Sequence, residues 1–585
     1  MKPSNSFVGP MLTDLYELTM AYGYWKKGKE KDGAVFDLFF RRNPFGGEFT
    51  IFAGLEEVVR SLHAYKFTDA DINFLREGTV RRKEELQLDF EAGIKNGFIR
   101  KTSDGFEELT HDPWSGEKWQ PVPYPEEDIQ VAGPMHHCES GFFDWLKNID
   151  CSELKIYAVP EGTIVFPRIP LIRVEGPLAI AQMQETTLLN LTSFPSLIAT
   201  NAARFKLAAG KDKGLVEFGL RRAQGPDGAI SASRYSYVGG FNGTSNVRAG
   251  QMFGLPTKGT MAHSYVTAFF GLDEITNPHL AGPDGEVHNF LDLVLEYRRK
   301  LGYDHTNDGE LAAFISYAQA FPASFLALVD TYNTLASGVP NFICVALALL
   351  QIGYNPIGIR LDSGDLAYFS KESRKLLRKI AKRFSLESFG ALSILASNDI
   401  DESILYSLVQ QGHEIDMFGI GTHLVTCRAQ PALGCVYKLV AVNGQPRIKL
   451  SDEPDKMTIP GRKEVYRLVG DNRHPVIDLM VEAGTEPPPA GERILCRHPL
   501  SEAKRAYVIP KSVVRLHTCV WDGRQVFAFP SLDAIRQYVI DQISMMRPDH
   551  LRAVNPTPYK VSVSEELYRS MHELWMQEAP ISEIR

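Results

Sequence analysis

The residues Ile357-Gly358-Ile359-Arg360-Leu361-Asp362-Ser363-Gly364-Asp365-Leu366 join a short apolar strand to a polar turn. Apolar side chains alternate up to Arg360, which predicts a buried strand, and the residues from Asp362 to Asp365 are typical of a turn that caps a helix. A basic run over residues 371–383 continues the predicted helix. The strand therefore ends in a group of charged and hydroxyl side chains.

The chemistry of this turn allows two interpretations. An arginine can bind phosphate through two parallel hydrogen bonds, while carboxylates bind ribose hydroxyls or a magnesium ion. These residue types at the carboxyl end of a strand are typical of a site for a phosphorylated sugar. The alternative is an Asx-type helix cap with a surface ion pair, and the turn alone does not decide between them.

Bulk composition indicates a globular protein of several domains. The chain has 585 residues, of which 44% are apolar and 23% charged, and at about 150 residues per domain this predicts two to four domains. A net charge of −8 provides no basic field for nucleic acid. Seven widely spaced cysteines without a CxxC pair favour a reducing compartment.

The sequence gives no sign of a membrane segment. The first ten residues carry no apolar signal region, and the longest apolar run, at residues 342–352, is too short to span a bilayer. We therefore expect a cytosolic protein that binds neither membrane nor nucleic acid.

The middle of the chain alternates predicted strands with predicted helices. This alternation favours parallel strands with right-handed crossovers, in either a barrel or an open sheet. The strands are predicted at residues 215–220, 259–263, 324–329, 356–360, 392–396 and 415–420.

Polar residues follow each of these strands. In a (β/α) barrel the carboxyl ends of the strands share one face, where an active site assembles. Six such polar ends together favour a functional site over unrelated surface loops. The ends are Arg221-Arg222-Ala-Gln224, His263-Ser264, Asp330-Thr331, Asp362-Ser363-Gly364-Asp365, Ser397-Asn398-Asp399 and Gly419-Ile420-Gly421-Thr422.

Three further regions surround this middle part. A helix is predicted over residues 11–25 and a long helix over residues 179–209, broken near Pro195. Residues from about 77 to 137, with Trp114 and a proline-rich stretch, predict an inserted loop or flap. After Cys435 the pattern changes to strands and ends in two helices.

Several longer motifs occur in fixed order along the chain, and such a set is far more specific than one glycine-rich loop. The motifs are Leu12-Thr-Asp-Leu-Tyr-Glu17, Phe39-Phe-Arg-Arg-Asn-Pro-Phe-Gly-Gly47, Ala199-Thr-Asn-Ala-Ala-Arg204, Gly219-Leu-Arg-Arg-Ala-Gln-Gly-Pro-Asp-Gly228, Gly243-Thr-Ser-Asn246, Gly259-Thr-Met-Ala-His-Ser264, Arg360-Leu-Asp-Ser-Gly-Asp365, Gly419-Ile-Gly-Thr422 and Val436-Tyr-Lys-Leu-Val440. On these motifs the sequence resembles the nicotinate phosphoribosyltransferase family in its longer, animal and plant type.

The resemblance implies a type II phosphoribosyltransferase fold of the α/β class. This fold is an irregular (β/α) barrel with a second, smaller α+β domain built from the N- and C-terminal segments. We expect the N-terminal α+β domain at residues 1–178, with the insert at about 77–137, and the barrel at residues 179–430. The C-terminal β-rich segment, residues 431–585, would pack with the N-terminal domain. The family also implies a homodimer with shared active sites.

The resemblance also implies a reaction. Nicotinate would join 5-phosphoribosyl 1-diphosphate to give nicotinate mononucleotide and diphosphate, the first committed salvage step toward NAD. ATP would be a co-substrate hydrolysed through a phosphorylated histidine, and Mg²⁺ or Mn²⁺ is the expected cofactor.

Three residues match the catalytic positions of the family. His263 matches the phosphorylated histidine; without its motif, a core histidine would be the better interpretation. Asp330 or Asp362 would steady the ribosyl cation or hold the metal ion and the sugar hydroxyls, and their division of roles is left open.

The expected base slot has two aromatic walls, Phe218 and Tyr16, with Tyr16 entering from the neighbouring subunit. Arg360 and Arg221 match phosphate-facing and base-facing positions. The other substrate-binding candidates are Thr244, Ser245, Ser363, Gly364, Asn398, and, at the 5-phosphate, Gly419, Gly421 and Thr422.

Two rival functions stay open. Relatives specific for nicotinamide carry an aspartate in the Gly-Thr-Asp motif, where this chain has Ser245, and the missing carboxylate favours the acid. Arg222 favours the acid too, although a solvent-facing role fits it about as well. A non-catalytic nucleotide-binding relative is the second rival, but it would not need His263.

Overall fold

The strand and helix predicted for the 357–366 stretch are both present in the computed structural model, which describes residues 2–112, 116–451, 453 and 456–579. The strand is Gly358–Leu361 and the helix is Leu366–Phe384. The Asp365 carboxylate accepts a hydrogen bond from the Tyr368 backbone N–H at 2.9 Å, so the turn caps the helix as predicted.

Eighteen α-helices occur in the described part of the chain. They are α1 Leu15–Lys26, α2 Leu55–Ala64, α3 Asp69–Glu77, α4 Lys83–Lys95, α5 Ser140–Asn148, α6 Leu178–Gln182, α7 Glu185–Ala209, α8 Gly225–Val238, α9 Val247–Phe253, α10 His263–Thr267, α11 Phe290–Leu301, α12 Asp308–Ala320, α13 Val339–Gln351, α14 Leu366–Phe384, α15 Glu402–Gln410, α16 Thr422–Val425, α17 Leu532–Met545 and α18 Glu565–Glu578.

The same residues contain twenty-six strands. They are β1 Gly33–Phe40, β2 Thr50–Ile51, β3 Thr79–Arg81, β4 Ile99–Thr102, β5 Gly105–Asp112, β6 Gly116–Pro121, β7 Ile129–Val131, β8 Lys155–Ala158, β9 Ile164–Val165, β10 Ile172–Pro177, β11 Gly214–Glu217, β12 His279–Ala281, β13 Val287–Asn289, β14 Leu326–Leu328, β15 Gly358–Leu361, β16 Ser393–Ser397, β17 Met417–Ile420, β18 Cys435–Val442, β19 Gln445–Pro446, β20 Lys463–Val469, β21 Pro475–Glu482, β22 Ile494–Arg497, β23 Arg505–Val508, β24 Ser512–Arg515, β25 Thr518–Asp522 and β26 Lys560–Val563.

The middle of the chain forms a five-stranded parallel sheet in the order β11-β17-β16-β15-β14. Every neighbouring pair is parallel. The helices α13, α14 and α15 each connect one of these strands to the next, and parallel strands need such crossovers. Five of the six predicted strands are therefore confirmed, and the fold is mixed α/β.

The strand predicted at residues 259–263 is wrong. These residues are irregular, and His263 is the first residue of α10. Just before them, Thr257 makes an isolated parallel bridge to Thr244, which in turn bridges Glu217 at the end of β11. Glycine is depleted in strands and alanine is depleted to a lesser degree, so Gly259 and Ala262 disfavour a strand here.

The long helix α7 passes through Pro195 without the predicted break. The interruption lies earlier, at Met183 and Gln184, between α6 and α7. Pro195 has no N–H for the carbonyl of Leu191, and Gly54 packs against that carbonyl so closely that a Cβ there would lie 1.9 Å from the oxygen. Glycine at position 54 therefore permits this close approach, while its own N–H donates to Glu161 Oε1 at 2.8 Å.

One helical stretch in the described residues, Thr334–Gln351, has the length and composition of a membrane span. Of its residues, 78% are buried inside the protein. A buried apolar helix of this kind is typical of a protein core, and α13 lies within the main hydrophobic cluster.

Both ends of the chain meet in a six-stranded sheet of order β19-β18-β1-β10-β8-β25. The Phe36 ring in β1 stacks on Tyr437 in β18, with ring centroids 4.8 Å apart. On the other face, Asp37 forms a buried ion pair of 2.7 Å with Lys463. These contacts tie the N-terminal strands to the C-terminal segment, while the domain boundaries at residues 178 and 430 stay predictions.

A third sheet of six strands lies in the C-terminal part, in the order β23-β22-β26-β21-β20-β24. Inside it Arg467 binds Asp478 through two hydrogen bonds of 2.8 Å, and Tyr559 donates a third to the same carboxylate at 3.0 Å. The buried Asp478 is therefore fully paired.

The region from about residue 77 to 137 has more regular structure than the loop or flap that the sequence predicts. It contains β3 paired with β7, the helix α4, and the three-stranded sheet β4-β5-β6. Phe90, Phe106 and Tyr124 form a small aromatic cluster with centroids 5.0 to 6.1 Å apart. Trp114 lies outside the described residues.

Candidate active site

The carboxyl ends of β11, β14, β15, β16 and β17 lie along one edge of the parallel sheet, because the strands of such a sheet point the same way. The residues that the sequence predicts for the site follow these strands. Their side chains contact one another across gaps of 32 to 68 residues in the chain.

Asp330 lies at the centre of these contacts. Its Oδ2 atom accepts hydrogen bonds from the Asp362 backbone N–H at 2.7 Å and from the Ser363 hydroxyl at 2.6 Å. The side chain is 1% exposed, yet its Oδ1 atom has no hydrogen-bond partner within the described residues. An unpartnered buried carboxylate oxygen is costly, so this atom is suited to a cation or a substrate hydroxyl.

Arg360 and Asp362 form a second group on the neighbouring strand end. Arg360 donates from Nε to the Ser397 hydroxyl at 2.8 Å and from Nη2 to Asp362 Oδ1 at 3.0 Å. The Ser397 hydroxyl also donates to Asp362 Oδ1. This arrangement holds the guanidinium in a fixed plane while Asp362 stays 28% exposed.

His263 faces both carboxylates. Its Nε2 atom lies 3.7 Å from Asp362 Oδ2 and 3.9 Å from Asp330 Oδ1. On the other side of the ring, Nδ1 lies 3.0 Å from the Thr331 hydroxyl. The imidazole is 41% exposed, so a phosphorylated ligand can reach it from solvent.

Phe218 lies immediately after β11 and lines the same edge. The Arg360 guanidinium carbon is 5.4 Å from the centre of the Phe218 ring. A Cβ on Gly419 would lie 2.4 Å from that ring. Glycine at position 419 therefore lets the ring lie against the backbone of β17.

The predicted base-facing residues occupy different environments. Thr244 is fully buried, and its hydroxyl donates to the Glu217 carboxylate at 2.5 Å, so it points into the interior. Ser245 is partly exposed beside it. Arg221 is exposed in the 3-10 turn Leu220–Arg222.

The remaining strand-end candidates lie in exposed or partly exposed turns. Asn398, after β16, has a φ of +113°, a strained backbone for a residue with a side chain. Gly364 has a φ of +73°, and a Cβ there would lie 2.5 Å from the Phe369 ring. Gly421 and Thr422 connect β17 to α16.

Tyr16 is not brought to this edge within one chain. It lies on α1, its side chain is 45% exposed, and the described residues include no hydrogen bond or ring contact between it and the strand ends. Burial, with the nearby Glu185 carboxylate, raises the pKa of the Tyr16 hydroxyl to about 12. It therefore stays neutral near physiological pH.

Three residues in or near this site, Thr331, Ser397 and Glu310, are not among the predicted catalytic and substrate-binding residues. Thr331 and Ser397 follow predicted strands, and that position was the available signal. Glu310 carries no such signal, since it lies inside α12. Its Oε2 atom accepts hydrogen bonds from Ser337 at 2.6 Å and Asn341 at 3.0 Å. Burial, assisted by the charge of Asp330, raises the pKa of Glu310 to about 7.

The donor set fits a magnesium ion shared with substrate. No group of three or more His, Cys, Asp or Glu side chains that could hold a metal ion occurs in the described part of the chain. Mg²⁺ needs fewer, since it commonly binds one or two carboxylates together with substrate phosphates and water. Asp330 and Asp362 supply two carboxylates, one with an unpartnered oxygen.

Comparisons with known proteins agree on one family. The family model described as the nicotinate phosphoribosyltransferase N-terminal domain matches residues 11–91 and 124–193. The model described as the nicotinate phosphoribosyltransferase C-terminal domain matches residues 462–571. Residues 92–123 fall between the two matched N-terminal stretches.

Relatives match over nearly the whole chain. Nicotinate phosphoribosyltransferase of Dictyostelium discoideum is 49% identical over 593 aligned positions, covering 100% of this chain and 91% of the relative. Nicotinate phosphoribosyltransferase 2 of Arabidopsis thaliana is 48% identical, covering 100% and 97%. The crystal structure of human nicotinic acid phosphoribosyltransferase superposes with a TM-score of 0.77 at 39% identity, covering 96% of this chain and 99% of that one. Because relatives that are 48% and 49% identical align with the whole of this chain, the chain belongs to the nicotinate phosphoribosyltransferase family.

Proposed function

We propose that this chain transfers the 5-phosphoribosyl group of 5-phosphoribosyl 1-diphosphate to nicotinate, giving nicotinate mononucleotide and diphosphate in NAD salvage. The observation that carries the proposal is the approach of His263 Nε2 to within 3.9 Å of both Asp330 and Asp362. Membership of the family supports the choice of substrates.

The charge distribution suits a ribosyl transfer. As the ring nitrogen of nicotinate attacks the anomeric carbon and diphosphate leaves, positive charge develops on the sugar. The unpartnered Oδ1 of Asp330 is fixed by the bonds that Oδ2 makes, so it needs no reorganisation to stabilise that charge. Asp362 is the more exposed carboxylate, which suits it to the sugar hydroxyls.

The expected base slot favours the acid over the amide. Phe218 supplies an aromatic wall and Arg360 a fixed cation beside it. Nicotinate is an anion near neutral pH, whereas an amide needs an acceptor for its NH₂ group. Ser245 supplies no carboxylate for that amide, and the exposed Arg221 can turn toward an acid. Nicotinamide is therefore the weaker candidate.

Either Asp362 or Asp330 would hold Mg²⁺, or Mn²⁺, against the substrate diphosphate, which leaves the other carboxylate for the ribosyl group. When bound, the ion would neutralise part of the charge on the leaving group. Gly419, Gly421 and Thr422 would offer backbone N–H groups and a hydroxyl to the 5-phosphate.

ATP would couple to the reaction through phosphorylation of His263. Because Nδ1 lies 3.0 Å from Thr331, Nε2 is the nitrogen left to accept the phosphoryl group. Nε2 lies beside both carboxylates of the site, and the imidazole is open to solvent. A phosphoryl donor could therefore reach Nε2 at the place where the transfer occurs.

The five parallel strands would form part of an irregular barrel. Support comes from the isolated parallel bridges Glu217–Thr244 and Thr244–Thr257, which continue the sheet beyond its β11 edge.

All seven cysteines are free, which supports a cytosolic location.

A homodimer would complete the base slot with Tyr16 of the second chain. Leu15 and Tyr16 are exposed by 48% and 45%, which leaves this end of α1 open for a partner. Mixed Tyr16→Ala and His263→Ala subunits test the arrangement. If each mutant alone lacks ATP-stimulated activity and the mixture regains part of it, the sites are shared. A mixture as inactive as its components would contradict sharing.

The substrate proposal is tested with purified protein, Mg²⁺ and 5-phosphoribosyl 1-diphosphate, supplied with either nicotinate or nicotinamide. Mononucleotide formed from nicotinate is the expected result. Product from nicotinamide alone would identify the amide enzyme, and product from neither base would leave a nucleotide-binding protein.

The His263→Ala variant tests the role of ATP. We expect loss of the stimulation by ATP with slow, ATP-independent turnover retained, because the carboxylates and Phe218 are untouched. Equal stimulation of variant and wild type would rule out the phosphohistidine.

A further inference from the structure

Glu217 is a buried carboxylate held by neutral groups. It is the last residue of β11 and is fully buried. Its Oε1 atom accepts a hydrogen bond from the Gly219 backbone N–H. Its Oε2 atom accepts hydrogen bonds from the Thr244 hydroxyl at 2.5 Å and the Ser233 hydroxyl at 2.8 Å. A charge removed from water in this way is costly, and several aligned donors are needed to offset that cost.

Two of the three partners of the Glu217 carboxylate, Gly219 and Thr244, belong to the segments that carry the expected base-binding residues, and the third, Ser233, lies on α8. Gly219 follows Phe218 and precedes Arg221, while Thr244 precedes Ser245. The backbone of Glu217 joins the same segments, because its N–H donates to the Gly243 carbonyl at 3.0 Å and its carbonyl accepts from the Ser245 N–H at 2.9 Å.

Asn246 completes the network. The Asn246 N–H donates to the Thr244 hydroxyl oxygen at 2.9 Å, and the Asn246 side-chain amide donates to Ser233 at 3.1 Å. Asn246 also caps α9 through the Ala249 N–H at 3.2 Å. The turn at residues 243–246 is thereby fastened to β11, to α8 and to α9.

We propose that Glu217 is a positioning residue for base selection, which fixes the distance between Phe218 on one segment and Ser245 on the other. This inference rests on the proposed function, since it takes the slot between those segments as the nicotinate site. Glu217 does not touch the base; it acts through the Gly219 amide and the Thr244 hydroxyl.

A carboxylate suits this position better than an amide. Glu217 accepts three hydrogen bonds on its two oxygens, and a glutamine offers one oxygen and two N–H donors. In either orientation glutamine places an NH₂ group against the Gly219 N–H or against the two hydroxyls. To accept from that NH₂ group, the Thr244 hydroxyl would have to turn its own proton away from residue 217 and so lose the hydrogen bond that it now donates there.

The test compares Glu217→Gln, Thr244→Val and their double variant with wild type in the full-length protein. We expect each single variant to raise the KM for nicotinate about tenfold, because the slot would no longer hold Phe218 and Ser245 at a fixed distance and small displacements of positioning groups are costly. The KM for 5-phosphoribosyl 1-diphosphate should stay within twofold, and the ratio of kcat/KM for nicotinate over nicotinamide should fall. The KM for nicotinate of the double variant should be no higher than that of the more impaired single variant, because both substitutions break the same network.

The control is Asp478→Asn, which removes a buried carboxylate from the third sheet, where Asp478 binds Arg467 and Tyr559. It should lower the thermal unfolding midpoint without changing the KM for nicotinate. The proposal is overturned if Thr244→Val and Glu217→Gln leave that KM within twofold, or if Asp478→Asn raises it equally. Should Glu217→Gln not fold, Thr244→Val decides alone. Failure of wild type to use nicotinate would refute the proposed function instead.

Discussion

Replacing Gly419 with alanine is the sharpest test of the base slot. The added Cβ would lie 2.4 Å from the Phe218 ring, against the 3.4 to 4 Å of ordinary contact. The ring must therefore move by about 1 Å, and a displacement of that size in a positioned group can lower the rate about 100-fold. We expect kcat/KM for nicotinate to fall by that factor, or about 2.7 kcal/mol in transition-state free energy.

The assay is steady-state turnover of nicotinate by four proteins: wild type, Gly419→Ala, Phe218→Leu and the double variant. Leucine at position 218 removes the ring that the new methyl group meets. Gly419→Ala should therefore cost little further activity in the Phe218→Leu background. Equal losses in both backgrounds would refute the reasoning, because they would show that the methyl group acts elsewhere than on Phe218.

Two other predictions concern Glu310 and Arg360. Folding raises the pKa of Glu310 from 4.5 to about 7. Between these two pH values the folded state keeps Glu310 protonated while the unfolded state does not, so the free energy of unfolding falls as the pH rises. The Glu310→Gln variant has no carboxyl group to titrate at this position. In urea unfolding, the free energy of unfolding of the variant minus that of wild type should therefore rise by about 3 kcal/mol from pH 4.5 to pH 8. A difference that stays constant with pH would contradict this prediction. Arg360→Lys cannot reproduce the paired bonds to Ser397 and Asp362, and we expect it to raise the KM for 5-phosphoribosyl 1-diphosphate about tenfold in initial-rate assays. An unchanged KM would show that the arginine serves structure alone.

The sequence by itself determined the strand-helix alternation and the identity of the polar strand ends. Period-2 apolar residues ending at Arg360, with Asp365 three residues before Tyr368, specify a strand and a capped helix through local interactions alone. The motif around His263 likewise carried the resemblance to the family. These features depend on residues close together in the chain, and a sequence displays them directly.

Local sequence patterns predicted secondary structure less reliably where contacts with distant parts of the chain determine the backbone conformation. Pro195 predicts a break, but α7 continues through it, packed against Gly54 from a distant part of the chain. The motif at residues 259–263 resembles a strand end, but Thr257 makes the last bridge and the chain turns away to place His263.

Only the tertiary structure decided how the site is held together. The contact of His263 with Thr331 spans 68 residues, and that of Arg360 with Ser397 spans 37. The unpartnered oxygen of Asp330 and the buried network of Glu217 depend in the same way on segments that packing brings together. Hydrogen bonds form over about 3 Å, and no local pattern states which distant donor will arrive within that distance.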